Sequence, residues 1–351
     1  MSLAHPVRRV DLLDGFTLPP ELEARGPAEA RGLARDGIRL LVTSSNASRH
    51  LVFADLPTAL QPGDLLVVNN SGTLPASVPV DDLVVNFSTS LPGGLHVVEL
   101  RRRSGHASKP WQGPRPREVA LPGRGVLELL TPYPVESPNQ RLWAAHAQLG
   151  MPIGDYLSRF GEPIRYLHVD APHPLADYQT IFASAPGSAE MPSAGRPFSH
   201  DLLTRLVVAG VTVAPLTLHS GVSSLETGEP PYPEWYEVPW ATASLVNHTR
   251  RQGGRVVAVG TTVVRALETT ADDRGGSHPG RGWTELVISP GGRMRVVDGL
   301  ITGWHDPDST HLDLLEALIG RDIVAESYRA ALAEGYLWHE FGDSHLIMPA
   351  G

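Results

Sequence analysis

The 351-residue sequence contains no cysteine, a single lysine (Lys109), only 6% aromatic residues and no long apolar run. The absence of cysteine excludes disulfides, thiolate catalysis and cysteine-ligated zinc or iron–sulfur centres. Fifteen histidines are present, but none is spaced as HxH or HxxxH, so spacing gives a metal site no support and none is expected. The longest apolar stretch, Leu206 to Leu218, is interrupted by Gly, Thr and Pro and is too short to span a bilayer. Met1 to Arg9 lack the apolar stretch of a signal peptide, so a cytoplasmic protein away from membranes is expected. A net charge of −9 excludes coating of nucleic acid by charge alone, while leaving room for a local basic patch.

The length suits two domains. Leu65-Leu66-Val67-Val68 follows a Pro-Gly-Asp turn and reads as a buried strand ending on the polar loop Asn69-Asn70-Ser71-Gly72. From about 76 to 149 the texture changes. Short strand-like runs at 83–85, 95–100, 126–130 and 141–146 are separated by Gly/Pro turns, with no helix between them. This predicts a small all-β unit, barrel or sandwich. Beyond 150 helices return. Ser199 caps a helix carrying Leu202, Leu203, Leu206 and Val207, and strands at 211–214 and 256–259 alternate with further helices. Alternating βαβα order implies an α/β layer with partly parallel strands. Thr310 and Asp313 form a capping-box pattern, and the last helix, 322–334, stops at Gly335.

Three segments carry candidate chemistry. In VVAVGTTVVRALE (256–268) a strand turns through Gly260-Thr261-Thr262 into a helix, whose N-terminus can seat an anion. Arg265 lies one turn into that helix, and the threonines could equally serve only as caps. In DGLITGWHDPDST (298–310), His305 sits beside Asp306, so a carboxylate can orient it as a base. Arg101, Arg102, Arg103, Lys109, Arg115 and Arg117, with Trp111 among them, form the one dense basic stretch. It reads as a loop whose charges and ring suit single-stranded or loop RNA, or as a merely solvated loop.

Blocks along nearly the whole chain resemble the S-adenosylmethionine:tRNA ribosyltransferase-isomerase family of queuosine synthesis. They are PGDLLVVNNSGTLPA (62–76), YQTIFASAPGSAEMPSAG (178–195), LTLHSG (216–221), YEVP (236–239), VVAVGTTVVRALE (256–268), VVDGLITGWHDPDST (296–310) and FGDSHLI (341–347). The resemblance implies a large α/β domain (1–75 and 150–351) with an inserted small β-barrel-like domain (76–149). It implies transfer and isomerisation of the ribosyl group of S-adenosylmethionine onto a 7-aminomethyl-7-deazaguanine in the tRNA anticodon loop. Epoxyqueuosine-tRNA, adenine and methionine are the products, with no metal or further cofactor. No oligomeric state is set, and a monomer is the simplest expectation.

Such chemistry needs a base for the C5′–H beside the sulfonium, a clamp for the methionine carboxylate, and donors to departing adenine. By residue type, Gly260, Thr261, Thr262 and Arg265 are expected at the donor, His305 as base, and Asp298 and Asp343 as orienting groups. Asn69, Asn70, Arg101, Arg102, Arg103, Lys109, Arg196 and His219 are expected toward the RNA substrate. The sequence departs from the family where Ser71-Gly72, Pro75-Ala76-Ser77 and Ser193-Ala194-Gly195-Arg196-Pro197-Phe198 lose two arginines and a histidine, leaving Arg196 as the replacement candidate. A diverged paralogue with another acceptor, or an inactive RNA- or nucleoside-binding protein, are the alternatives on the same fold.

Overall fold

The computed structural model describes residues 16–45, 47–104, 107–135, 141–222, 231–289, 291–306 and 309–348. Met1 to Arg9, read above for a leader, and Pro307 and Asp308 of the 296–310 block lie outside these residues. The chain opens with β1 (Arg39–Ser44), β2 (Ala47–Val52), β3 (Leu65–Asn69) and β4 (Ser71–Thr73). Among the described residues, seven strands then follow with no α-helix between them. They are β5 (Ser77–Val80), β6 (Leu83–Leu91), β7 (Leu95–Ser104), β8 (Ala107–Pro110), β9 (Glu118–Leu121), β10 (Gly125–Tyr133) and β11 (Leu142–Gln148). Next come α1 (Ile153–Phe160), β12 (Ala185–Ser188), α2 (His200–Val208), β13 (Thr212–Leu218), β14 (Glu234–Val238), α3 (Trp240–Arg251), β15 (Val256–Val259) and α4 (Thr261–Thr269). β16 (Gly280–Thr284), β17 (Gly299–Gly303), α5 (His311–Ile319), α6 (Arg321–Ala333) and β18 (Ser344–Met348) complete the order.

The larger sheet runs β16-β14-β13-β3-β15-β17-β18-β1-β2. Its centre, β13-β3-β15-β17, is parallel, and β18 runs antiparallel to β17. The middle positions of these central strands are largely apolar because both faces are covered. Leu65, Val67, Val256, Ala258 and Leu300 enter one core with residues of α3, α4, α5 and α6. Leu66, Val68, Val257, Val259 and Ile301 enter the other, with Leu202 and Leu206 of α2. The expected Ser199 cap is present, its Oγ accepting from the Leu202 N–H at 3.0 Å. The expected capping box is not: Thr310 makes no cap hydrogen bond, and Ser309 Oγ accepts from the His311 N–H at 3.2 Å instead. Among the described residues no helix is long and apolar enough to cross a membrane.

The texture change at 76–149 corresponds to a second, antiparallel sheet ordered β5-β6-β7-β11-β10-β9, with β8 on the far end of β7. Val85, Phe87, Val98, Leu100, Leu127, Leu129 and Ala145 fill its concave side together with Tyr156 and Leu157 of α1. The edge strands β5 and β9 approach each other without pairing, so the all-β unit expected as barrel or sandwich is a curled half-barrel sheet. Its charged centre is Glu99, fully buried, which accepts from Arg101 at 2.8 Å, Arg141 at 3.0 Å and Asn86 at 3.1 Å. Removing the anion takes its charge partner from the buried Arg141 guanidinium. Glu99→Ala is expected to cost about 3–5 kcal/mol, read as a large fall in the thermal unfolding midpoint. A shift no larger than that of a surface Glu→Ala change would show that the network contributes nothing.

Candidate active site

Because the central strands are parallel, their carboxyl ends fall on one edge, where open α/β sheets bind ligands. A cavity of about 610 Å³ opens there. It is bordered by Gly260, Thr261 and Thr262 after β15, by Thr302 to Asp306 after β17, and by Ser220 to Val222 after β13. Glu190 to Ala194 close one side, and Ser88, Thr89 and Val97 of the curled sheet close another.

Gly260 adopts φ +97°, a conformation that L side chains rarely take, and is itself the N-cap of α4. The threonines therefore do not cap, and the helix N-terminus borders the cavity with both hydroxyl residues beside it. Asn69 holds this turn in place. Its Nδ2 donates to the Leu218 carbonyl at 2.8 Å and to Thr262 Oγ1 at 3.3 Å, while its Oδ1 accepts from the N–H groups of Ser71 and Leu218. Asn70 Oδ1 accepts from Thr217 Oγ1 at 2.7 Å, also away from the cavity. His219 bonds Ser71 Oγ at 2.8 Å through Nδ1 and stacks on Trp235, and burial pushes its pKa down. These three residues support the wall and do not line the cavity.

Arg265 borders the cavity, but its guanidinium is already engaged. It forms an ion pair with Glu234 and donates to the carbonyls of Leu286, Tyr232 and Thr284. The expected anion clamp is therefore not built on a free Arg265. Burial pushes the Glu234 carboxyl up, and Arg265 opposes that shift. Asp298 is at the opposite end of the sheet, accepting from the Val256 N–H at 2.9 Å and from Arg250 at 3.1 Å, and cannot orient His305. Asp343 sits at the correct edge, yet its oxygens are taken by Arg39 and by the N–H groups of Arg39 and Leu337. Arg196 is buried against Glu29 at 2.9 Å and the Asp177 carbonyl, so it is not available to an acceptor.

His305 does line the cavity. Its Nε2 meets Thr302 Oγ1 at 2.9 Å and its Nδ1 meets His311 Nδ1 at 3.0 Å. Burial, then His311, His339 and His345, hold its pKa well below the usual imidazole range. Burial and Arg265 push His311 down to about 4. Both rings are neutral at pH 7, and one Nδ1 must donate while the other accepts. The pair is a two-site proton acceptor with complementary tautomers. His311, Glu190, Glu340 and Tyr166 were missed as lining residues. Glu190 lies within the AEMPSAG block, and Glu340 immediately precedes the FGD block, which was the available signal.

The basic stretch is a loop only in part, at Arg115 and Arg117. Arg101 to Arg103 lie on β7 and Lys109 on β8, paired as a hairpin with Arg102 opposite Lys109. Arg101 is committed to Glu99 and to Ser108. Arg102 lies over the Trp111 ring at 4.9 Å, and Arg115 over Trp143 at 4.3 Å. Arg102, Arg103, Lys109, Arg115 and Arg117 are exposed.

An α/β sheet with a ligand-sized cavity at its strand ends defines an enzyme of the layered α/β class. A family model described as "Queuosine biosynthesis protein" matches residues 14–347, and the chain belongs to that family. It is similar to the S-adenosylmethionine:tRNA ribosyltransferase-isomerase of Symbiobacterium thermophilum, 38% identical over 348 residues that cover 95% of this chain and 98% of that one. The enzyme of the same name from Gloeobacter violaceus is 37% identical over 95% of this chain and 94% of its own. The crystal structure of S-adenosylmethionine tRNA ribosyltransferase from Thermotoga maritima aligns with a TM-score of 0.53 at 28% identity, covering 95% of this chain and 99% of that one.

The buried histidines make stability acid-sensitive. Burial pushes His345, which stacks on Trp304 at 4.6 Å, down to about 3. From pH 6.5 downward, the unfolded chain binds protons that folded His311 and His345 refuse, down to about 4 and about 3 respectively. Stability is thus full above the unfolded value and is lost as pH falls, by up to about 1.4 kcal/mol per pH unit for each group. His345→Phe, which keeps a ring on Trp304, is expected to flatten the fall of the unfolding midpoint between pH 6.5 and 4. An unchanged slope would remove His345 from the account.

Proposed function

We propose that the protein transfers and isomerises the ribosyl group of S-adenosylmethionine onto a 7-aminomethyl-7-deazaguanine of a tRNA anticodon loop, releasing adenine and methionine and leaving epoxyqueuosine-tRNA. One observation supports the donor assignment most strongly. The cavity is bordered by the carboxylates of Glu190, Glu234, Asp306 and Glu340, against a single guanidinium, that of Arg265. With His305 and His311 neutral, this surround favours a cationic ligand, and a sulfonium is one. The methionine carboxylate is assigned to the N-terminus of α4 at Gly260, Thr261 and Thr262, where backbone dipoles and two hydroxyls replace the engaged Arg265.

The sulfonium acidifies the C5′–H, and the His305–His311 pair takes that proton. Adenine departs from C1′ and takes up a proton, the acceptor amine adds to the sugar and loses one, and a sugar oxygen closes the epoxide by displacing methionine sulfur from C5′. The transfer itself is assigned to S-adenosylmethionine and side chains, without a further cofactor. The division into an α/β unit (1–75 and 150–351) and a β unit (76–149) is kept as part of this proposal, with the cavity between them. Protein, S-adenosylmethionine and tRNA carrying the deazaguanine are expected to yield adenine and methionine in equal amounts. His305→Ala is expected to slow this by about 10²–10⁴-fold. Formation of S-adenosylhomocysteine, or full activity of His305→Ala, would overturn the assignment.

The exposed face of the β7–β8 hairpin is proposed to meet tRNA phosphates through Arg102, Arg103 and Lys109. Each such contact lowers the slope of log affinity against log salt by about 1 when removed, without regard to base sequence. Replacing all three by Ala should reduce that slope by about 3. Unaltered tRNA binding would leave the hairpin as a solvated edge.

A further inference from the structure

Three segments far apart in sequence meet in the wall between the main cavity and a second one of about 480 Å³. Glu23 comes from the segment before β1, His168 from the connection between α1 and β12, and His339 and Glu340 from the turn before β18. One ligand atom from each of Glu23, His168 and His339 lies within 4.8 Å of the other two. Among the described residues this is the one group of three or more such side chains so arranged. Glu340 stands beside this group, with Oε2 3.2 Å from His168 Nε2, while Glu23 Oε1 is 3.5 Å from His339 Nε2.

These distances suit ion pairs, but the angles do not suit hydrogen bonds. His168 Nε2, His339 Nε2 and Glu340 Oε2 are all buried atoms with no hydrogen-bond partner, and the His168 side chain is only 10% exposed. Buried imidazole and carboxylate groups are costly when unsatisfied. The two unsatisfied histidines belong to the group with Glu23, and a cation coordinated at its centre would give each imidazole a partner.

We propose that Glu23, His168 and His339 bind one divalent transition-metal ion, zinc by ligand type, as a clasp that ties the three segments together, with Glu340 beside His168 as a positioning carboxylate. Two imidazoles and one carboxylate, with a water at the fourth position, form an N/O set suited to tetrahedral zinc, whose bonds of about 2.0–2.2 Å place neighbouring ligand atoms roughly 3.3–3.6 Å apart. The three groups therefore close by up to about 1 Å on binding. The His168 and His339 rings stack at 4.2 Å and 19°. Because a bound ion lies in the plane of each imidazole, these rings must rotate apart to receive it. Spacing rules could not find this site, since no two of its histidines share an element.

The test uses the full chain without a histidine tag, stripped with a chelator and titrated with zinc by calorimetry. In parallel, cobalt is followed by visible absorption. One ion per chain is expected, with the intense cobalt bands of tetrahedral geometry and a zinc-dependent rise in unfolding midpoint. His168→Gln and His339→Gln should each weaken binding by about 100-fold or more, and Glu23→Gln and Glu340→Gln by about 10-fold. Circular dichroism establishes that each variant folds; Glu23 is the most exposed ligand, so Glu23→Gln remains informative if a histidine variant does not fold. Absence of stoichiometric uptake by the unaltered protein would overturn the proposal, leaving two His–Glu ion pairs. Uptake that all folded variants share would also overturn it.

Discussion

The side-chain amide of Asn69 is the joint on which the cavity depends. Four hydrogen bonds from one buried group tie the end of β3 to the end of β13, to the turn into β4 and to the first turn of α4. Each is worth about 1 kcal/mol net, but the cost of losing the amide is larger, because buried backbone groups at Leu218 would be left unpaired. The parallel strands bring loops to one edge; Asn69 decides how those loops stand relative to one another. Gly260 completes the joint, since its φ of +97° lets β15 turn directly into α4.

Charge is distributed around the cavity in a way that local sequence does not suggest. Arginines near the site are spent on the framework: Arg265 on Glu234, Arg196 on Glu29, and Arg39 on Asp343. Each such pair is buried on at least one side, where a lone charge would be strongly unfavourable. Carboxylates outnumber guanidinium groups among the described residues bordering the cavity, and His305 and His311 remain uncharged through burial. Such a surround suits the proposed sulfonium, while the α4 N-terminus in VVAVGTTVVRALE is kept for the proposed methionine carboxylate.

The strands 65–68 and 256–259, the Ser199 cap and the all-β texture of 76–149 were legible because each follows from local periodicity or a single cap. Partnership was not legible. Arg265 meets Glu234 from a separate strand, and Asp298 lies seven residues from His305 in sequence but at the other end of β17. Asp343 is close to the site yet turned to Arg39. Closure of the curled sheet into a barrel was likewise undecidable from strand spacing, because it depends on whether β5 and β9 pair. The His168–His339 stack joins two segments that no local pattern connects.

The central claim is that the carboxylate-lined cavity at the strand ends holds a cationic donor. Calorimetric comparison of S-adenosylmethionine with S-adenosylhomocysteine, which lacks the positive sulfur, tests it most directly when repeated on Glu190→Gln. The account requires tighter binding of the sulfonium by the unaltered protein, and a smaller margin once Glu190 is neutral. Equal affinity for the two ligands, or a margin that Glu190→Gln leaves intact, would contradict it.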